Sequence, residues 1–283
     1  MKILTAYLDV PFRALEIVSD FLEGQGHEVD RLLLKPGDRI GQLIQGAPFK
    51  HYDVAISTEP LAMLGLIWRR RIDKTIFWRA DYRPSRYKGL SGVLDWTLRN
   101  RVDEVWSIVP PTREGEKWVP FLLNEKSLLP RKTRSGPYCA LWTGPVFDGG
   151  YDLAEAACKN IGVHFSVSDW SNPSTTLTDE QLNAMLLDTD IGLALYDPSS
   201  NFKNYSDPSR VKRFMAAGIP VLTTRSFAMS HEVEEYEAGF LTDWSLDSVE
   251  QGLDYCIRNS CRLSDGAKAL ARKYLISDEW IKL

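Results

Sequence analysis

The residues best equipped for chemistry lie between Asp207 and Val221, in the run Asp-Pro-Ser-Arg-Val-Lys-Arg-Phe-Met-Ala-Ala-Gly-Ile-Pro-Val. Asp207 can cap a helix by accepting a hydrogen bond from a free backbone N–H, and Pro208 suits the first helical position. Ser209 and Arg210 then fall in the first turn. There the free N–H groups and the positive end of the helix dipole seat an anion. Lys203 before the helix and Lys212 within it add positive charge. Gly218 stops the helix, and Val221–Thr224 reads as the strand that follows. The pattern predicts a phosphate site; a capped surface helix with solvated cations is the competing reading.

Metal and redox chemistry find less support. The cysteines (Cys139, Cys158, Cys256, Cys261) form no Cys-x-x-Cys pair and read as core or incidental thiols of a reducing compartment. The histidines (His27, His51, His164, His231) lack ligand spacing. No metal and no cofactor is expected.

The elements that must position these residues alternate between strand and helix. Lys2–Leu8 reads as a buried strand, Phe12–Gln25 as a helix and His27–Leu34 as a second strand. Strands at Asp53–Ser57, Thr75–Arg79 and Glu104–Val109 follow, with helices at Leu61–Arg71 and Leu90–Asn100 between them. From Leu122 the chain loses periodicity, and Pro130–Pro137 is rich in Pro, Gly and cations. The alternation then restarts with the strand Tyr138–Trp142, a glycine-rich loop Gly144–Gly150 and a helix Tyr151–Asn160. The expected architecture is α/β: two Rossmann-like doubly wound domains, 1–130 and 138–283, joined by a linker at 131–137. Ligands of such sheets bind beyond the carboxyl ends of the strands, so a central cleft faced by both domains is the expected site.

The formal charge of −4 hides an asymmetry. Residues 1–135 carry 22 Lys/Arg against 17 Asp/Glu, a net +5, and residues 136–283 carry 12 against 21, a net −9. Eight cations (Arg69, Arg70, Arg71, Lys74, Arg79, Arg83, Arg86, Lys88) crowd Arg69–Lys88. An anionic partner facing the first domain is expected, against the alternative of a solvated rim. No apolar run reaches the length of a membrane span. The N-terminus reads as a strand and not as a signal peptide. A cytoplasmic protein is expected, with a peripheral place at the inner membrane surface as a variant of that reading.

The run Pro208–Val221 resembles that of the GT-B glycosyltransferases, in particular the retaining, nucleotide-sugar-dependent (GT4-like) family. Its usual form there is Pro, a small residue, Lys, two variable positions, Glu, an aromatic, then Met-Ala-Ala-Gly-x-Pro-Val. Trp142-Thr143-Gly144, Asp188–Leu193 and Glu237–Leu241 are similar to further stretches of the family's second domain. The resemblance covers roughly residues 138–245. It implies transfer of a sugar from a nucleotide-sugar donor to an acceptor hydroxyl with retention, the donor being the only co-substrate.

Three departures stand out. The family's ribose-holding glutamate falls at Arg213, and a cation cannot accept those hydroxyl hydrogen bonds. Tyr205 stands where many members carry a sugar-contacting acid. The loop Gly144–Gly150 lacks the Arg and Lys that usually grip the diphosphate. The resemblance therefore implies that Arg210 neutralises the leaving group, with Ser209, Lys203 and a backbone approach at Gly144. Asn204, Tyr205 and Arg213 lie where sugar or nucleotide is reached, and Trp170 is a stacking candidate for the base, with simple packing as its alternative. In the first domain, Asp81 follows a strand end and is the candidate for the acceptor hydroxyl; a structural ion pair with Arg79, Arg83 or Arg86 is its rival. Asp9 and Glu59 share that position more weakly. The acceptor is expected to be a glycan, lipid-linked or not, or a hydroxymethylated DNA base; a non-catalytic nucleotide-sugar or glycan binding protein is the alternative.

Overall fold

In the computed structural model, the residues described are 1–8, 13–34, 50–68, 71–79, 91–110, 114–130, 136–146, 149–169, 177–199 and 206–283. The chain divides into two compact units, Met1–Leu122 with Ile276–Leu283, and Leu123–Leu275.

The first unit runs β1 (Lys2–Leu8), α1 (Arg13–Gly24), β2 (Glu28–Leu34), β3 (Tyr52–Ser57), α2 (Pro60–Ile67), β4 (Ile72–Arg79), α3 (Ser91–Arg99), β5 (Glu104–Ser107) and β6 (Glu116–Trp118). Its sheet has the order β2-β1-β3-β4-β5-β6 and its ladders are parallel. Parallel strands are covered on both faces, which is why they read as apolar runs. The crossovers through α2 and α3 proceed in one direction along the sheet and that through α1 in the other. Right-handed connections thus place α2 and α3 side by side on one face and α1 on the opposite face. Ala62, Met63 and Leu66 of α2 and Leu98 of α3 pack with Leu4, Ala6, Ala55 and Phe77 of the strands.

The second unit runs β7 (Cys139–Thr143), α4 (Gly149–Ile161), β8 (His164–Ser168), α5 (Asp179–Leu187), β9 (Ile191–Ala194), α6 (Ser209–Ala216), β10 (Val221–Thr224), α7 (Ser230–Glu235), β11 (Gly239–Thr242), α8 (Leu246–Arg258) and α9 (Ser260–Lys273). Its sheet is parallel with the order β11-β10-β9-β7-β8. Trp142, Leu193 and Leu195 bury against Ala154, Ala157 and Cys158 of α4 and Val249, Leu253 and Cys256 of α8.

The sequence places the boundary at 131–137, whereas the units meet at Leu122 and Leu123. Residues 123–130 belong with the second unit because the Leu123 N–H donates to Tyr274 O (2.8 Å) and the Leu129 N–H to Ala216 O (3.1 Å). The tail returns to the first unit, where Trp280 meets the Trp118 ring edge-on at 5.5 Å.

Candidate functional site

The order of the second sheet reverses at β7. The chain leaves β7 for β8 on one side and then enters β9 on the other. The carboxyl ends of β7 and β9 therefore flank the switch point, the place where open α/β sheets take ligands. Thr143 ends β7, and Tyr196 stands two residues beyond β9.

Two helices begin at this edge. Helix α4 starts within the stretch read from sequence as a glycine loop, at Gly149 and Gly150. A Cβ on Gly150 would lie 2.6 Å from Leu195 O, so a glycine is what lets the first turn of α4 close onto the end of β9. Helix α6 is anchored from below. Val211, Phe214 and Met215 form its buried face, and the Phe214 ring fills the space over Gly192, where a Cβ would come within 2.3 Å of it. The helix closes at Gly218 (φ 66°), with the Ile219 N–H donating to Phe214 O and the Gly218 N–H to Met215 O, a Schellman ending.

Arg210, in the first turn of α6, spans the switch point. Its Nε donates to Tyr196 Oη at 2.6 Å and its Nη1 to Thr143 O at 2.8 Å. The guanidinium carbon lies 4.4 Å from the centre of the Tyr196 ring and 5.0 Å from that of Trp142. The tyrosine is itself fixed. Its N–H donates to Thr224 Oγ1, its carbonyl accepts from Thr224 Oγ1 and Ser226 Oγ, and its ring packs on Phe227. Two of the five guanidinium donors thus hold the fork in place. A planar guanidinium suits bidentate bonding to carboxylate or phosphate oxygens, and one held in place by other partners loses little entropy on binding.

The other expected residues fare differently. Asp207 does not cap α6: the helix starts at Ser209, Pro208 occupies the cap position, and no side chain caps it. Instead the Asp207 carboxylate accepts from Lys212 Nζ at 2.5 Å, both side chains being almost fully buried. Lys212 therefore adds nothing to the positive field outside the helix. Its ammonium lies 3.8 Å from the Tyr274 ring centre, and burial lowers its pKa against the opposing pull of Asp207. Tyr274 Oη and Lys273 Nζ both donate to the buried Glu232. The Asp207–Lys212 pair is not legible from sequence, because each residue has an ordinary surface explanation.

Ser209 is exposed at the helix start. Arg213 donates to Asp179 Oδ1 at 2.8 Å, joining α6 to the start of α5. Gly144 has φ 140° and donates its N–H to Ser168 O at 2.9 Å, which ties the β7 end to the β8 end. Asp81, Trp170, Lys203, Asn204 and Tyr205 lie outside the described residues. In the first unit Arg79, at the end of β4, donates to Glu116 (3.0 Å) and Ser107 Oγ (3.2 Å), and Arg99 also reaches Glu116. Glu59 is buried just past β3, where the first sheet reverses between β1 and β3. Sequence reasoning missed Tyr196 and the Thr143 carbonyl. The available signal was an aromatic with a hydroxyl directly past a buried strand's carboxyl end.

Among the described residues, one group has metal-ligand chemistry: His51, Asp53 and Asp73, with ligand atoms within 4.8 Å of one another. It sits at the amino ends of β3 and β4, away from the carboxyl edge. No helix among the described residues is long and apolar enough to cross a membrane.

No protein-family model matches the chain, and no curated protein matches it significantly. Solved structures match over nearly the whole length. Sucrose-phosphate synthase from Thermosynechococcus elongatus aligns with a TM-score of 0.73 at 10% identity, covering 97% of this chain and 95% of that one. Anabaena HepE in complex with UDP-glucose aligns at 0.66 and 13% identity, covering 97% and 95%. WaaG, a glycosyltransferase involved in lipopolysaccharide biosynthesis, aligns at 0.63 and 12%, covering 99% and 96%. The chain has the two-domain α/β fold of these GT-B structures.

Proposed function

We propose that this chain, with its GT-B fold, is a glycosyltransferase that moves a sugar from a nucleotide diphosphate donor to an acceptor hydroxyl. The observation that carries the reading is the Arg210 fork fixed at the switch point of the second sheet by Tyr196 and Thr143. In the reaction the bond from the anomeric carbon to the diphosphate oxygen breaks, a bond to the acceptor oxygen forms, and the acceptor hydroxyl passes its proton to the departing diphosphate. Charge builds on the departing diphosphate, and a preorganised cation there stabilises the transition state more than the ground state. Arg210 and the amino end of α4 supply that charge, so the reading is of transfer without a metal ion. Retention of configuration is part of the proposal, and Asp81 is proposed to contact the acceptor hydroxyl.

The donor nucleotide is proposed to be a uridine diphosphate, since HepE and S. aureus MnaA were crystallised with UDP or UDP-glucose. The acceptor is proposed to be a glycan, lipid-linked in the favoured form, in line with the lipopolysaccharide role of WaaG and the cationic first half of the chain. A hydroxymethylated DNA base is the weaker alternative, and a peripheral place at the inner membrane surface goes with the lipid-linked form. A second reading, a nucleotide-sugar binder without turnover, is favoured by one observation: Arg213 is paired with Asp179 where the resembling family holds the ribose with a glutamate. Release of nucleotide from a panel of nucleotide sugars, with and without added glycan acceptors, tests the choice. Turnover of one donor supports transfer; tight binding with no turnover on any acceptor supports the second reading.

A further inference from the structure

Helix α6 carries Arg210, and its two ends are held by different means. The far end is fixed by the Schellman turn at Gly218 and by the Phe214 ring seated over Gly192. The near end begins at Ser209 without a side-chain cap, and the Val211 N–H donates to Pro208 O at 3.1 Å. Helix ends fray unless something holds them, and Arg210 lies in this uncapped turn.

Behind the turn runs a buried polar chain that the proposed reaction does not use. Asp207, two residues before the helix, accepts from Lys212 at 2.5 Å, so the bond bridges the entering chain and the helix itself. The Lys212 ammonium stands 3.8 Å from the Tyr274 ring centre. Tyr274 Oη donates to Glu232 of α7, and Lys273 Nζ at the end of α9 donates to the same carboxylate at 3.0 Å. A small cavity lies among these elements, lined in part by Val211, Lys212, Phe227, Glu232 and Tyr274. Phe227 also meets the Tyr196 ring edge-on, with centres 6.0 Å apart. The helix that carries Arg210 and the tyrosine that accepts its Nε–H thus back onto one wall. Apolar residues of like volume would fill such a space at equal or lower free energy, so stability alone does not account for charges there. Apolar contact has no direction, whereas a charge-assisted hydrogen bond fixes both distance and angle.

We propose that Asp207 and Lys212 are positioning residues: their buried bond sets the entry angle of α6 and so presents the Arg210 fork, already aligned, to the donor diphosphate. The alignment is a property of the free protein; its use for a diphosphate rests on the glycosyltransferase reading above.

The test variant is Lys212→Met with Asp207→Leu, which keeps the volume and removes the direction. It is read in two ways: UDP affinity by calorimetry, and the Arg210 Nε–H signal in nitrogen–proton NMR spectra, assigned by its loss in Arg210→Ala. The bond from Nε to Tyr196 Oη predicts a sharp, slowly exchanging signal in wild type. In the double variant that signal should broaden or vanish, and UDP affinity should fall by about three- to tenfold, the cost of immobilising one side chain anew. Asp207→Asn, whose amide oxygen still accepts from Lys212, is expected to keep the signal and to bind UDP within about twofold of wild type. Val249→Ala, in the core shared by α4 and α8, lowers stability away from α6 and should leave both readouts unchanged. If the double variant does not fold, Lys212→Met alone, at a temperature where it is folded, carries the same expectation. Survival of the signal in the double variant overturns the proposal, as does UDP affinity within about twofold of wild type. An equal loss in Val249→Ala also overturns it, since the pair would then act through stability alone. Wild-type protein that binds no UDP, or Arg210→Ala that binds it as wild type does, sinks the functional reading; the Nε–H signal of wild type and double variant then decides this inference by itself.

Discussion

Replacing Lys212 with methionine removes one half of a buried ion pair. The Lys212 and Asp207 side chains are 4% and 1% exposed and 2.5 Å apart. Methionine is close in length to the lysine stem, so packing on the Tyr274 ring changes little. What remains is the Asp207 carboxylate, buried in the unit that also buries Glu232. Breaking a buried pair from one side costs about 3–5 kcal/mol. For a unit of this size that is a fall in melting temperature of roughly 6–20 °C. Asp207→Asn should cost less near neutral pH, because burial already lowers the Lys212 pKa and the lysine can shed its proton. The sign of the pH dependence follows. A folded pKa below the unfolded value means that the unfolded chain binds more protons in that window, so stability rises with pH from the lowered value up to the ordinary lysine range. Asp207→Asn widens the window downward. Lys212→Met with Asp207→Leu should recover most of the loss, as apolar replacements of buried pairs do. Urea unfolding of the four proteins at pH 7 and pH 9 is the assay. Single variants within about 1 kcal/mol of wild type, or a double variant as unstable as the sum of the singles, would refute the reasoning.

Gly150→Ala should destabilise the second unit by about 1–3 kcal/mol and weaken UDP binding, because the new Cβ meets Leu195 O at 2.6 Å and tilts the start of α4; urea midpoints and calorimetry read both. Burial pushes the Cys158 and Cys256 thiols up to about 12, above their unfolded value of 9.0, so the stability they confer is present below pH 9 and is lost as pH rises toward 12. Between pH 9 and 10 the two thiols contribute a slope of up to about −2.7 kcal/mol per pH unit, opposed in part by Lys212, and above pH 10 the raised Tyr52 and Tyr274 add to it; Cys158→Ala with Cys256→Ala should remove the thiols' share in urea titrations between pH 9 and 10. Arg213→Ala should cost under about 1 kcal/mol and leave UDP affinity within about twofold, since its Asp179 partner is largely exposed; a large loss of affinity would return Arg213 to the donor site.

The strand and helix alternation was legible because parallel strands buried on both faces read as apolar runs, as Cys139–Trp142 and Ile191–Ala194 do. Strand β6 was not, because Glu116-Lys117-Trp118 is short, has no apolar period and exists only through its ladder to β5. The start of α4 was hidden for the opposite reason. Gly149 and Gly150 carry the local signal of a loop, and the tertiary need for close approach to Leu195 overrides it. At the candidate site, the position of Arg210 in the first turn was readable from Pro208 and Gly218. Its partners were not, since Tyr196 and Thr143 are 14 and 67 residues away in sequence and meet it only through the sheet order. The same non-local logic turned Asp207 from a cap into the partner of Lys212.

The central claim is that Arg210, held by Tyr196 and Thr143, grips the diphosphate of a nucleotide donor. Calorimetric titration of UDP into wild type, Arg210→Ala and Tyr196→Phe tests it most directly. The account predicts a loss of about 10- to 100-fold in affinity for Arg210→Ala, the worth of one or two charge-assisted hydrogen bonds, and a smaller loss for Tyr196→Phe. Equal UDP affinity in wild type and Arg210→Ala, with both proteins folded, would contradict it.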